Sequence, residues 1–167
     1  MKKLLITLSL ILGATPILAA NIDITGTVQS RCTVNLDTPG FYGNPNAFTL
    51  TTAAASSGVD PIVRFDTSLA GAYHAQVSYP TSFVSSPSLT DTVSWVGTVA
   101  VAQMSSSDQS GYQAASTTSG SMRQYALAHA GTLWVKATSV ATYGGGQAKA
   151  FPGGAYKAVV LASCVAQ

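Results

Sequence analysis

The chain of 167 residues is 47% hydrophobic and 8% charged, with a formal net charge of +2. It contains no Glu, and Ser and Thr make up roughly a quarter of it, a composition that suits half-buried strands better than surface helices with Glu–Lys pairs. The length fits one domain, since a single core serves about 100 to 200 residues. The composition therefore argues against an all-helical protein, and the absence of a basic stripe argues against a nucleic-acid partner.

The first twenty residues have the pattern of a secretory signal peptide. Two lysines precede the apolar run 4–12, and the small residues Ala19 and Ala20 follow it. The run is too short to span a bilayer, which needs about 20 residues. We therefore expect residues 1–20 to be a signal peptide, cut after Ala20 or, nearly as well, after Ala19. The mature chain would begin at Asn21, carry six basic and six acidic side chains, and be exported.

Along the mature chain the dominant pattern has a period of two, which is typical of strands. In residues 21–28, one face carries Ile22, Ile24, Gly26 and Val28. The other strand candidates are residues 32–36, 47–52, 62–65, 72–79, 92–101, 133–137 and 155–165. Many short strands separated by turn signals predict an all-β, antiparallel β-sandwich.

Polar and glycine-rich segments separate these strands. Loops or turns are expected at residues 43–46, 105–111, 116–120, 143–146 and 152–154. The apolar residues of segment 121–130 do not alternate cleanly, which leaves a short helix open there.

Cys32 and Cys164 are the only cysteines, and they lie near opposite ends of the mature chain. In an oxidising compartment, two cysteines predict a disulfide. The alternative is a reactive or metal-binding thiol, but only His74 and His129 could join the cysteines, and the spacing does not suit zinc. We therefore expect a disulfide and no metal or other cofactor.

Catalytic sequence signatures are missing from the chain. It has no G-x-S-x-G elbow, S-x-x-K pair, H-E-x-x-H helix or phosphate-binding glycine loop. A hydrolase would need His74 or His129 beside a serine, and a glycosidase would need carboxylates such as Asp60 and Asp66 to face each other. Nothing in the sequence singles these residues out, so we expect no enzyme.

Both ends of the mature chain carry distinctive alternating segments. They read NIDITGTV at residues 21–28 and PGGAYKAVVL at 152–161, with VSWVG at 93–97 between them. These segments resemble fimbrial subunits assembled by the chaperone–usher route, most of all the colonisation-factor, or alpha, group, whose donor strand follows N-I-x-[VI]-T-[AG]-[ST]-V. Residues 24–34 also resemble the archaic pilins related to spore coat protein U.

The resemblance implies a fold and a mechanism of assembly. Residues 31–167 would form an immunoglobulin-like antiparallel β-sandwich that lacks its last strand. A periplasmic chaperone would fill the resulting groove until the N-terminal strand of another subunit, residues 21–30, replaces it. The implied function is a structural subunit of a surface fimbria that serves adhesion. Its implied partners are other copies of itself or related subunits, the chaperone, an outer-membrane usher and a host or surface receptor.

The resemblance also assigns residues to strand exchange. The donor strand would insert Ile22, Ile24 and Val28, with Gly26 allowing a close approach. The acceptor groove would be lined in part by one face of the final strand. One of its faces carries Tyr156, Ala158, Val160 and Ala162, and the other carries Val159, Leu161 and Val165.

The two cysteines are a difference from the colonisation-factor group, whose major subunits typically lack cysteine. A bridge between Cys32 and Cys164 would tie the first strand of the folded body to the last. Because those strands border the groove in such pilins, the bridge could lie only at one end of it.

A self-complete domain is the alternative interpretation. Residues 21–28 would then pair within their own domain, and the protein would be a secreted adhesin or carbohydrate-binding β-sandwich. Trp95 and Trp134 could form a sugar-stacking platform in such a module, although their alternating positions are more typical of a core.

Overall fold

The computed structural model of the protein describes residues 25–27, 29–105, 115–146 and 149–167. The expected signal peptide lies outside these residues. So do Ile22, Ile24 and Val28 of the expected donor strand, whereas Gly26 is described and is exposed.

In the described residues the chain forms twelve strands and one short 3-10 helix, Ala54–Ser56. The strands are β1 Cys32–Thr38, β2 Gly43–Asn46, β3 Thr49–Thr51, β4 Ile62–Thr67, β5 Tyr73–Ser78, β6 Phe83–Ser85, β7 Val93–Met104, β8 Thr117–Ser119, β9 Met122–Ala126, β10 Gly131–Tyr143, β11 Lys157–Ala158 and β12 Leu161–Ala166. The predicted all-β class with antiparallel sheets is confirmed. In this part of the chain no helix has the length and apolar character needed to cross a membrane.

Strand β10 is the centre of the larger sheet. Its residues 131–136 pair with β4 and its residues 140–142 pair with β3. Its other side pairs with β7 over nearly its whole length. Beyond β4 lies β1 and beyond β3 lies β2, which gives six strands. One half of this sheet therefore has the order β1-β4-β10-β7, with β1 at its edge.

The smaller sheet has the order β12-β5-β9-β8. Strand β9 lies in the segment 121–130, so the helix considered there is wrong. It is a strand because β5 and β8 pair with its two sides and Tyr125 is buried opposite Ala75. Gly120, at φ 58°, makes the turn between β8 and β9 in a conformation that glycine adopts readily. Strands β8 and β2 both lie in segments expected to be loops.

The apolar core lies between the two sheets. Its buried members are Val63, Phe65, Ala75, Val77, Val99, Val101, Tyr125, Leu127, Leu133, Val135 and Ala137. They come from β4, β7 and β10 on one side and largely from β5 and β9 on the other, because alternate residues of each strand point inward. This packing is consistent with a β-sandwich. Burying each large apolar side chain contributes about 1.5 to 3 kcal/mol.

A second, aromatic cluster surrounds Phe83 in β6. The Phe83 ring centroid lies 4.6 Å from that of Trp95, 5.1 Å from that of Tyr156 and 6.0 Å from that of Phe151. Strand β6 also pairs with β11, so this cluster holds the segment that leads into β12. Trp95 is therefore partly buried, in this cluster.

Candidate functional site

Two sheet edges border an open groove. Strand β1 is the edge of the larger sheet and pairs only with β4 in the described part of the chain. Strand β12 is the edge of the smaller sheet and pairs, within the same described ranges, only with β5. An unpaired strand edge presents a row of free N–H and C=O groups that can pair with another strand.

The inward side chains of β1 lack the cover that their neighbours have. Val34 lies opposite Phe65 and Leu36 opposite Val63, and side chains directly opposite each other lie on the same face of a sheet. Yet Val34 is 38% exposed and Leu36 69% exposed, whereas Phe65 is 0% and Val63 7% exposed. The apolar face of β1 thus points toward the core side of the sheet without being buried.

Strand β12 and the residues before it form the facing wall. Ala162 lies opposite the buried Val77, so it faces the core. Earlier on this wall, residues 154–160 line the groove, among them Tyr156, Ala158 and Val160 of one face and Val159 of the other. The sequence left open which face borders the groove; Val160 and Ala162 pack against the core, and members of both faces line the cavity. Two members of its other face, Leu161 and Val165, are exposed within the strand, at 67% and 40%.

A cavity of about 710 Å³ lies between these two walls. Beside Leu36 its lining includes the apolar side chains of Phe41, Tyr42, Leu50 and Val63. An apolar cavity of about 150 Å³ holds one benzene molecule, so this groove has room for roughly four side chains of that size. It is therefore large enough for the apolar side chains that an added strand would insert.

The two phenols in this cavity are hydrogen-bonded, and Lys157 also lines it. The Tyr42 hydroxyl and the Ser139 hydroxyl are 2.9 Å apart, and burial raises the pKa of Tyr42. Tyr156 donates a hydrogen bond of 2.6 Å to the Pro152 carbonyl, and desolvation raises its pKa as well. Both phenols stay protonated at physiological pH, so they add no charge to the groove.

The disulfide closes one end of the groove. Cys32 and Cys164 are bonded, as predicted, with their Cα atoms 6.2 Å apart. Cys32 begins β1 and Cys164 lies in β12, so the bond joins the two facing edges directly. The cavity lies away from this bridge, beside Leu36 and Val160.

The N-terminal segment leaves the domain at the same closed end. The Arg31 N–H donates to the Ser68 hydroxyl at 3.0 Å, and the Tyr73 hydroxyl donates to the Ser30 carbonyl at 3.2 Å. Residues 25–27 are exposed, and among the described residues only the chain neighbours of Gly26 lie within 4 Å of a Cβ built there. Ser30 and Arg31, which follow the expected donor residues, therefore lie beside the bridge.

The histidines considered for a hydrolase lie outside the groove. His129 lines a separate cavity of about 10 Å³ beside Ser105, which holds about one water molecule. His74 lies in β5 opposite Val165 and Ala126. Within the described residues, no group of three or more His, Cys, Asp or Glu side chains could hold a metal ion.

The carboxylates considered for a glycosidase lie in separate structural contacts. Asp60 accepts a hydrogen bond from Thr52 at 2.5 Å and pairs with Lys136 at 3.7 Å. Asp66 pairs with Arg64 at 3.1 Å on the outer face of the larger sheet.

Trp134 lies on that same outer face. Its indole N–H donates to Asp37 at 3.0 Å. Trp95 lies in the aromatic cluster instead, so the structure does not bring the two tryptophans together as a platform.

The residues assigned to the groove from the sequence did not include those of β1. Residues 32–36 were predicted to be a strand, and the alternation of Val34 and Leu36 predicts a shared face. That this face stays uncovered depends on the separation of β1 from β12, for which the sequence carries no signal. Phe41 and Tyr42, which also line the cavity, were not assigned to any site from the sequence.

Comparisons with known proteins add nothing to this geometry. No protein-family model, no curated protein and no solved structure matches the chain.

Proposed function

We propose that this protein is a structural subunit of a surface fimbria, assembled by donor-strand exchange through a chaperone–usher route and serving adhesion. The observation that carries the proposal is the groove between β1 and β12, where Val34 and Leu36 point to the core side without a covering strand. Residues 21–28 supply a strand of matching character, with Ile22, Ile24, Gly26 and Val28 on one face. Strand addition to a sheet edge uses backbone hydrogen bonds and alternate side-chain pockets.

The strand order supports an immunoglobulin-like sandwich that lacks one strand. In that fold one sheet has the strands A-B-E-D and the other has C, F and G. Here β1-β4-β10-β7 follow the first order, and β12-β5 follow the order F-C. The position that remains is that of G, beside β12 and facing β1, which is where the groove lies.

The closed end of the groove favours head-to-tail assembly. The donor strand of residues 21–28 continues into its own domain, and the bridge blocks that continuation from leaving the groove between Cys32 and Cys164. The donor strand of one copy would therefore enter the far end of the next copy's groove. Such heterologous contacts do not close on themselves and give filaments.

This arrangement makes the donor strand antiparallel to β12. Strand β12 runs toward the bridge, because Cys164 lies near its end. A strand that enters from the far end with its N-terminus leading also points its N-terminus at the bridge. The two chains then run in opposite directions, a pairing slightly more stable per residue than the parallel one.

The open groove also explains the need for a chaperone. An exposed apolar strand edge pairs with other chains and aggregates. A subunit with Leu36 and Phe41 exposed at 69% and 66% therefore needs a temporary strand before assembly. We propose that a periplasmic chaperone supplies it and that an outer-membrane usher directs the exchange. Filling the groove with Ile22, Ile24 and Val28 would contribute about 1.5 to 3 kcal/mol for each side chain.

Two exposed leucines provide a matched test. Leu36→Arg puts a charge where a donor side chain must be buried, whereas Leu161→Arg puts the same charge on the outer face of β12. The two leucines are 69% and 67% exposed, so neither change disturbs a buried side chain. We expect electron microscopy of the producing cells to show fimbriae with Leu161→Arg and none with Leu36→Arg. Fimbriae in normal number with Leu36→Arg would contradict the proposal.

A variant of the donor strand tests the role of the donor without changing the groove. Ile24→Asp leaves the groove unchanged but places a carboxylate on the inserted face. Cells that produce only this variant should form no fimbriae. When it is produced together with the natural protein, it can accept a donor strand but cannot supply one, so it should occur only at one end of the fimbriae.

A further inference from the structure

We propose that the Cys32–Cys164 bridge is an end stop that sets the register of the inserted strand. The occupant is residues 21–28 of a second copy, so the inference rests on the proposed function. The bridge would halt the leading end of that strand and assign each of its side chains to one level of the groove.

The spacing at the bridge excludes an intervening strand. Paired strands lie about 4.8 Å apart, so two strands that flank a third are about 9.6 Å apart. The Cα atoms of Cys32 and Cys164 are 6.2 Å apart. A donor strand must therefore end before it reaches this level.

Facing residues on the two walls define successive positions, or levels, along the groove. Moving away from the bridge, the inward residues of β1 are Val34 and then Leu36. The inward residues on the other wall are Ala162 and then Val160, because β12 approaches the bridge as β1 leaves it. Leu36 and Val160 line the same cavity, which agrees with their placement at one level.

The donor strand has the length that this stop requires. Its four inward residues match in number four alternating positions of the facing wall, which are Ala162 in β12 and, before that strand, Val160, Ala158 and Tyr156. An antiparallel strand stopped by the bridge places Ile22 beside Ala162. Ile24 then lies beside Leu36 and Val160, and Gly26 lies at the level of Ala158. Cleavage after Ala20 leaves a single residue beyond Ile22, which ends the strand before the bridge.

Lengthening the donor strand of the full chain tests the stop. Inserting Thr-Ile between Ala20 and Asn21 adds one inward apolar side chain, and inserting Thr-Gly adds the same length without it. In bridged subunits we expect the Thr-Ile fimbriae to dissociate no more slowly in hot detergent than the Thr-Gly fimbriae. With Cys32→Ala and Cys164→Ala, the added Ile can enter the groove and should slow dissociation about tenfold relative to Thr-Gly.

The outcomes separate the stop from the proposed function. Suppose that the natural chain forms fimbriae, and that Thr-Ile slows dissociation relative to Thr-Gly as much in bridged subunits as in the cysteine variants. This result would overturn the end stop and leave strand exchange intact. If the natural chain forms no strand-exchanged polymer at all, the proposed function fails and the stop fails with it.

A second measurement keeps the bridge in place, in case the cysteine variants do not fold. The effects of Ile24→Ala and Leu36→Ala on the dissociation rate should be non-additive, because the register puts these side chains in contact. Those of Val28→Ala and Leu36→Ala should add, because four residues separate the two levels. If Leu36→Ala instead shows its largest non-additivity with Ile22→Ala, the strand lies in another register and the inference is overturned.

Discussion

At the residue scale, the groove depends on a few apolar side chains whose environment changes on assembly. Leu36 and Val34 face the core side of their sheet and are exposed in the single chain. Under the proposed strand exchange another copy would bury them, and substitutions there would then act on assembly more than on folding.

Tyr125 gives a prediction about alkaline stability. Burial raises the pKa of Tyr125 to about 12, and its hydroxyl donates to the Val99 carbonyl at 3.2 Å. The folded pKa lies above the ordinary value of about 10. The ionisation of Tyr125 therefore leaves the free energy of unfolding unchanged below pH 10 and lowers it as the pH rises toward 12. We expect urea midpoints to fall across that range.

A Tyr125→Phe variant is the control for this pH effect. It cannot ionise at this position, so its midpoint should fall less between pH 10 and 12 than that of the natural chain. Tyr42 and Tyr156, whose pKa values burial also raises, account for part of the remaining fall. Equal falls in both proteins would show that Tyr125 ionises without a penalty.

At the element scale, strands with clear alternation were predictable and the others were not. Residues 72–79 contain β5 because Ala75 and Val77 alternate with polar side chains. Strand β10 is longer than residues 133–137 because polar Ser139 continues it. Ser139 is buried, and its side chain and backbone pair with Tyr42 and Thr52. A local pattern cannot reveal polar partners that are distant in sequence.

Strand β7 supplies a packing test at Gly97. A Cβ at this position would lie 2.5 Å from the Thr138 carbonyl oxygen and 2.5 Å from Cγ of Tyr79. Because backbone would have to move, Gly97→Ala should lower the free energy of unfolding by about 1 to 3 kcal/mol. Gly153→Ala is the matched control, since nothing lies within 4 Å of its added carbon. Equal urea midpoints for the two variants would contradict this packing.

The candidate site was only half predictable from sequence. The disulfide was predictable because two cysteines allow one intramolecular pairing, and the final strand was assigned from its resemblance to pilins. The opposite wall was not assigned, since Val34 and Leu36 in β1 would be ordinary core residues if a further strand covered them. Their exposure depends on the distance between two sheet edges, which no local pattern encodes.

At the scale of the whole molecule, three features converge on the groove. The disulfide closes one end, Ser30 and Arg31 lie beside that end, and the cavity of about 710 Å³ lies beyond it. Together they favour insertion into another copy rather than back into the same chain. A strand that folded back would have to turn at the bridge and run parallel to β12.

The most direct test is a denaturing gel of the protein from its native cell surface, with unheated and boiled samples side by side. Removing a donor strand requires a whole strand to leave a core, so the polymer should resist detergent until it is heated. We predict a ladder in the unheated lane that collapses on boiling to one band near the mature monomer. A single monomer band in both lanes would contradict strand exchange and indicate a self-complete domain.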